Sequence, residues 1–105
     1  MRQFTVYENG NPASRKLYPY LLNVQSDLIG ETETRVAIPM YRVGRGRNPA
    51  MSSLSPVLDV AGRKYVLMTP LVAGIDMGRL GKPVADLCGE RAAIMAALDL
   101  LISGI

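Results

Sequence analysis

The side chains that most often carry catalysis or bind metals are scarce in this sequence. There is no histidine and a single cysteine, Cys88, so the commonest general base and metal ligand is missing and no thiolate cluster can form. The nine Asp and Glu residues are dispersed, without the close carboxylate pair of many hydrolases. Gly44–Arg47 lacks the Lys and Ser/Thr of a P-loop and the third glycine of a dinucleotide fingerprint. We therefore expect no metal and no cofactor, and the sequence does not indicate a hydrolase.

Two groups of residues are better suited to binding another macromolecule. Leu28 and Ile29 are consecutive large aliphatics after polar turn formers, although in the ordinary interpretation one enters the core and the other covers a neighbour. Arg42, Arg45 and Arg47 lie in a Gly- and Ser-containing stretch that is either a solvated loop or a clamp for phosphates or an acidic peptide. No aromatic residue interleaves these arginines, which favours the solvated loop. The net charge of +3 is modest, and we expect no direct sequence-specific nucleic-acid binding.

A long apolar segment at the end of the chain predicts a helix over Asp86–Ile105, with Asp86 as its cap. Apolar side chains occur all around this helix, so it needs cover on more than one side. The stretch from 92 to 102 is interrupted by Asp99 and is shorter than the roughly 20 residues of a membrane span. We therefore expect a helix laid on a sheet, with a second surface available to another chain.

Short alternating or β-branched segments before the helix predict antiparallel strands. They lie at residues 3–7, 17–24, 34–41, 57–60, 64–68 and 71–75. Residues 8–12 indicate a turn, Ala61–Arg63 a three-residue hairpin connection, and Pro19 an edge strand or a strand entry. Gly78, Gly81 and Pro83 are expected to break regular structure before the helix. The pattern predicts one α+β or barrel-like domain, residues 1–105, and the lack of a secretory signal predicts a soluble, cytoplasmic protein.

Six segments, in order and at near-constant spacing, resemble the CcdB family of toxins from bacterial toxin–antitoxin modules. They are the residues at 3–7 (QFTVY), 24–29 (VQSDLI), 36–40 (VAIPM), 54–57 (LSPV), 68–69 (MT) and 84–87 (VADL), and the terminal Gly104-Ile105 also ends the family's chain. The stretches 8–16 and 42–53 align poorly. The resemblance therefore covers nearly the whole chain.

The resemblance implies an SH3-like, twisted antiparallel sheet with a three-stranded wing and one C-terminal helix, assembled as a symmetric homodimer with Leu101 at the dimer interface. It also implies a function in plasmid maintenance: such toxins are not enzymes, but bind the A subunit of DNA gyrase and trap it on cleaved DNA. A CcdA-like antitoxin with a disordered C-terminal segment wraps the toxin dimer and removes it from gyrase. Positions that match the gyrase-binding residues are Leu28, Ile29, Asp99, Ile102, Ser103, Gly104 and Ile105. The stretch with Arg42, Arg45 and Arg47 is a possible antitoxin contact.

The chain departs from the family's pattern at its C-terminal end. Where the family typically has Phe-Trp-Gly-Ile, this chain has Ile102-Ser103-Gly104-Ile105, and Asp99 replaces an Asn. Buried Trp anchors typically cost about 2 kcal/mol or more when they are removed from an interface. Two alternatives therefore accompany the gyrase poison: a relative that binds an antitoxin without poisoning gyrase, and an endoribonuclease toxin of MazF-like architecture.

Overall fold

The computed structural model describes residues 2–30, 32–44 and 52–104, which form a curled antiparallel sheet and a C-terminal helix. The strands in these ranges are β1 Thr5–Asn9, β2 Tyr20–Asn23, β3 Thr34–Arg42, β4 Val57–Val60, β5 Arg63–Leu67, β6 Ala73–Asp76 and β7 Leu80–Asp86, and the helix is α1 Arg91–Ser103. Their order in the sheet is β4-β5-β3-β2-β1-β7, with β6 paired to β3 beside this path. This arrangement confirms the predicted α+β class, and no helix among the described residues is long and apolar enough to cross a bilayer.

The longest strand, β3, has two different neighbours along one of its edges. Its first half pairs with β6 and its second half with β5, whereas β2 runs along the opposite edge. Pro39 lies at the change of neighbour, and its carbonyl oxygen accepts a hydrogen bond from Met68 N at 2.9 Å on the side away from β2. The N–H and C=O of one strand residue point to the same side of the strand. Proline has no N–H, so the missing hydrogen bond falls on the side of the β5–β6 junction, and the ladder with β2 loses none.

The first two strands differ from prediction at their ends. β1 continues through Glu8 and Asn9, where we predicted a turn, because Glu8 pairs with Tyr20 of β2 and Asn9 with Leu80 of β7. The buried Asn9 side chain organises the following loop. Asn9 Nδ2 donates to Tyr18 O at 2.8 Å and to Ser14 Oγ at 3.0 Å. β2 begins directly after Pro19 and lies between β1 and β3, so the proline marks a strand entry and not an edge.

The predicted break at Gly78, Gly81 and Pro83 is wrong for two of its three residues. Gly78 lies in a short 3-10 turn, but Gly81 and Pro83 belong to β7, which pairs with β1 at the edge of the sheet. An edge strand tolerates proline because one side of its ladder is unpaired. A Cβ on Gly81 would stand 3.1 Å from Glu8 Cβ and Glu8 O, so glycine allows the two strands to approach closely.

Two residues, and not the predicted three, connect β4 to β5. Ala61 and Gly62 have φ values of 51° and 85°, a pair of positive values that matches a type I′ turn and the right-handed twist of its strands. Glycine adopts this conformation readily, but alanine carries a Cβ that disfavours it.

Substituting this alanine should therefore stabilise the protein. We expect Ala61→Gly to raise the free energy of unfolding by about 0.5–1 kcal/mol, measured by urea denaturation. Gly62→Ala is the matched control and should lower it by about 1 kcal/mol through backbone strain, because no atom lies within 4 Å of the added Cβ. Equal effects of the two substitutions would contradict the type I′ turn.

Apolar side chains cover both faces of the sheet, but only one face carries the helix. The larger cluster includes Val6, Leu22 and Ile38 of the strands together with Leu87 and Ile94. A smaller cluster on the opposite face contains the sequence neighbours of these strand residues, among them Tyr7, Leu21 and Ala37. Since successive strand residues point to opposite faces, short alternating strands produce both clusters.

The helix begins five residues later than predicted. Asp86 ends β7, Leu87 is buried, and a 3-10 turn over Cys88–Glu90 leads into α1 at Arg91. Within α1, Ile94 and Ala97 are buried, and Leu98 packs against the larger cluster. Gly104 ends the helix with a φ of 73°, and its N–H donates to Leu100 O at 2.9 Å.

Candidate functional site

The first part of the candidate site is a single 3-10 turn over Asp27–Ile29, named here the aliphatic turn. Ser26 Oγ accepts a hydrogen bond from Leu28 N at 3.1 Å, and Gly30 leaves the turn with a φ of 81°. Leu28 is 97% exposed and Ile29 is 61% exposed. The expectation that one of them enters the core is therefore wrong: a turn of three residues points both side chains outward.

Hydrogen bonds hold the aliphatic turn at both ends. Asp27 Oδ1 accepts from Gln3 N at 2.7 Å. The buried Gln25 side chain bridges the return of the chain into β3, because its Nε2 donates to Thr32 Oγ1 at 3.2 Å and its Oε1 accepts from Val36 N at 3.1 Å. The two exposed aliphatic side chains thus stand on a base that is fixed to the sheet.

The second part is the C-terminal end of α1, named here the helix tip, residues 99–104. Asp99, Ile102, Ser103 and Gly104 are exposed, and Ile102 reaches 82%. Leu101, the predicted dimer residue, is half-buried. Ser103 Oγ donates to Asp99 O at 2.6 Å, so this hydroxyl folds back onto its own helix. Ile105 lies outside the described residues.

The two parts of the candidate site lie near opposite ends of α1. Gln3, which holds the aliphatic turn, also accepts a hydrogen bond through Oε1 from Arg91 Nη1 at 3.5 Å, and Arg91 is the first residue of α1. Ile102 is eleven residues further along, about 16 Å at the rise of an α-helix. The hydrogen bonds of the aliphatic turn therefore lead to the start of the helix and not to its tip.

The arginines of the predicted antitoxin contact are only partly described. Arg42 is half-buried at the end of β3, opposite Tyr65 of β5. Arg45 and Arg47 lie outside the described residues, so the contact stays a prediction.

The described residues contain no cluster of three or more His, Cys, Asp or Glu side chains placed to hold a metal ion. Burial raises the pKa of Tyr20, with Tyr65 adding to the effect from a ring-centroid distance of 4.9 Å. The backbone N–H of Cys88 lowers the pKa of Asp86, whose Oδ1 accepts it at 2.9 Å. These shifts have local structural causes, and the chemical character of the candidate site is that of exposed aliphatic side chains.

Asp86 is not the cap of α1, which begins after Glu90, but its hydrogen bond from Cys88 N predicts a pH-dependent contribution to stability. Its pKa is lowered in the folded state, so the contribution is complete above the ordinary value of 3.8 and is lost as the pH falls through the folded-state pKa. We expect the difference in unfolding free energy between the wild-type protein and Asp86→Asn to be constant from pH 5 to 7 and to shrink at lower pH. Urea denaturation from about pH 2.5 to 7 measures it, and a difference that grows on acidification would contradict the assignment.

A curled antiparallel sheet with one C-terminal helix, and with Leu28, Ile29 and Ile102 exposed, defines a small α+β domain with exposed aliphatic side chains. The model of the CcdB protein family matches residues 3–104, nearly the whole chain. The chain therefore belongs to the CcdB family, the toxins of toxin–antitoxin modules, which have an antitoxin as partner. The resemblance in the sequence is thereby confirmed.

Three residues that shape the candidate site were absent from the sequence-based assignment. Gln3 and Gln25 hold the aliphatic turn, and Arg91 contacts Gln3. A signal existed for Gln25, because a polar residue that directly follows the apolar Val24 at the end of a predicted strand needs a partner if it is buried. Gln3 and Arg91 gave no such signal, since their contact spans 88 positions of the sequence.

Proposed function

We propose that this chain is a toxin that binds the A subunit of DNA gyrase and traps the enzyme in its complex with cleaved DNA, acting by binding and not by catalysis. Membership of the CcdB family supports the proposal. The observation that carries it is the exposure of the aliphatic side chains that match the family's gyrase-binding positions: Leu28 at 97%, Ile29 at 61% and Ile102 at 82%. Side chains this exposed keep most of their apolar surface in contact with water after folding, so this surface is available for an interface.

Burial of these side chains provides the affinity. Covering one Leu or Ile side chain is favourable by about 1.5–3 kcal/mol, part of which offsets the lost freedom of the two partners. We propose that the active form is a symmetric homodimer with Leu101 at its interface. A two-fold axis near the helix tips presents every binding residue twice to a dimeric target. The second set of contacts then forms within the same complex, which strengthens binding without any new kind of contact.

Ser103 changes which residues carry the binding. A serine has neither the π-face nor the apolar area of the family's tryptophan, and this hydroxyl already donates to Asp99 O. Loss of such an anchor costs about 2 kcal/mol, roughly thirtyfold in affinity. We propose that Leu28, Ile29 and Ile102 replace it as the central contacts and that Asp99 pairs with a basic residue of the target.

The proposed antitoxin is CcdA-like, with an acidic segment that is disordered until it binds. The toxin's net charge of +3 is complementary to such a segment and would speed their encounter. Arg42 is the described member of the proposed contact, and the site of action is the cytoplasm, where gyrase and its DNA are found.

A cleavage assay tests the proposed function. The purified protein is incubated with gyrase from its own host and supercoiled plasmid, and linear DNA is measured after denaturation of the enzyme. We expect linear DNA to accumulate with increasing toxin. Intact plasmid from a protein that still binds its antitoxin would contradict gyrase poisoning, and cleavage of RNA in a parallel reaction would identify an endoribonuclease instead.

A further inference from the structure

The start of the chain contains a strained turn, named here the N-terminal turn, residues 2–5. Phe4 is 2% exposed and has a φ of 67°, a left-handed conformation that is rare for an aromatic residue. Phe4 N donates to Asn23 O at 2.7 Å, and Phe4 O accepts from Leu87 N at 2.8 Å. Such strain persists where the surrounding structure over-determines it, and it clusters at functional positions.

The strained backbone places Gln3 at a junction of three segments. Its N–H donates to Asp27 Oδ1 at 2.7 Å, and its Nε2 donates to Val24 O at 3.1 Å. Its Oε1 accepts from Arg91 Nη1 at 3.5 Å. The Arg91 guanidinium also lies 5.5 Å from the centroid of the Phe4 ring, which adds a cation–π contact on the same side.

We propose that Gln3 and Arg91 are positioning residues that hold the aliphatic turn against the first turn of α1 for partner binding, an inference that rests on the proposed function. The aliphatic turn has no buried residue, so packing does not fix it and its orientation depends on hydrogen bonds. Asp27 and Arg91 belong to different segments, and Gln3 links them: its backbone N–H donates to Asp27, and its side-chain Oε1 accepts from Arg91. A change at one of these residues should therefore alter the effect of a change at the other.

A double-mutant cycle tests this link. Asp27→Ala, Arg91→Ala and their combination are compared for affinity to the gyrase A subunit, in the wild-type background and in Gln3→Met, which keeps the side-chain length and removes both polar atoms. Measurements at about 0.3 M salt screen direct attraction between the two charges.

Each single change should weaken binding about twofold to tenfold. In the wild-type background the effects should deviate from additivity by about threefold, and in Gln3→Met they should be additive. Additive effects in the wild-type background, or unchanged coupling in Gln3→Met, would overturn the proposal.

Amide hydrogen exchange gives a readout that needs no partner. Leu28 N and Ile29 N bond to Ser26 Oγ and Ser26 O, at 3.1 and 3.2 Å. Gln3→Met and Arg91→Ala should speed exchange at these two amides several-fold, with the β4-β5 hairpin unchanged. Unchanged exchange at both amides would overturn the proposal. If the wild-type protein does not bind the gyrase A subunit, the proposed function fails, and the role in partner binding fails with it; exchange then decides whether Gln3 and Arg91 hold the turn.

Discussion

Replacing Ile94 with alanine is expected to lower the free energy of unfolding by about 3–4 kcal/mol. Ile94 is fully buried and joins α1 to the larger apolar cluster, so the substitution removes apolar contact and leaves a cavity between helix and sheet. A domain of this size has only about 5–15 kcal/mol of stability in total. Urea denaturation should therefore show a large fall in the midpoint.

The same substitution at Ile102 is the matched control. Ile102 is 82% exposed, so Ile102→Ala should change the free energy of unfolding by less than about 0.5 kcal/mol. Both variants are compared at one protein concentration, because dimerisation would make stability depend on concentration. Equal losses at the two positions would contradict the placement of α1 on the sheet.

Replacing Leu28 with aspartate is expected to weaken binding to the gyrase A subunit by about thirtyfold or more without unfolding the protein. The substitution removes the most exposed aliphatic side chain and places a charge next to Asp27, where the interface would have to desolvate it. Binding is measured by calorimetry, and the far-UV circular dichroism spectrum and the urea midpoint report on the fold.

Leu71→Asp is the control for this substitution. Leu71 is 42% exposed and lies outside the candidate site, so the same chemical change should leave the affinity for the gyrase A subunit within about twofold of wild type. If the two aspartates weaken binding equally, the aliphatic turn is not the contact surface, and a general effect of charge explains the loss.

The extent to which the sequence predicts this fold depends on how local each signal is. β3 was predicted nearly to its ends because its β-branched and aliphatic residues act within one segment. β7 was missed because its glycine and proline normally indicate a break in regular structure. They are tolerated here because β7 is an edge strand, and its place at the edge depends on its pairing with the distant β1. The helix start was placed too early because Asp86 is a typical cap residue and Leu87 continues the apolar pattern of α1, whereas Asp86 ends β7 and a 3-10 turn separates Leu87 from the helix.

Part of the candidate site could likewise be predicted from the sequence, and part could not. Leu28 and Ile29 stand out in the sequence as adjacent aliphatics, whereas the role of Ile102 came from resemblance to a family. Their exposure required the structure, because two adjacent aliphatics are compatible with a buried strand or an exposed turn. The support of the aliphatic turn was inaccessible to pattern reasoning. It depends on the left-handed Phe4 and on Gln3, whose side chain and N–H contact residues 21 and 24 positions away.

We propose that this chain, with Ser103 in place of the family's tryptophan, still poisons gyrase through its exposed aliphatic side chains. The most direct measurement is the amount of linear plasmid DNA trapped by host gyrase with equal amounts of the wild-type protein and of Leu28→Asp. The proposed function predicts linear DNA with the wild-type protein and a strong reduction with the variant. No linear DNA with the wild-type protein, or equal amounts with both, would contradict it.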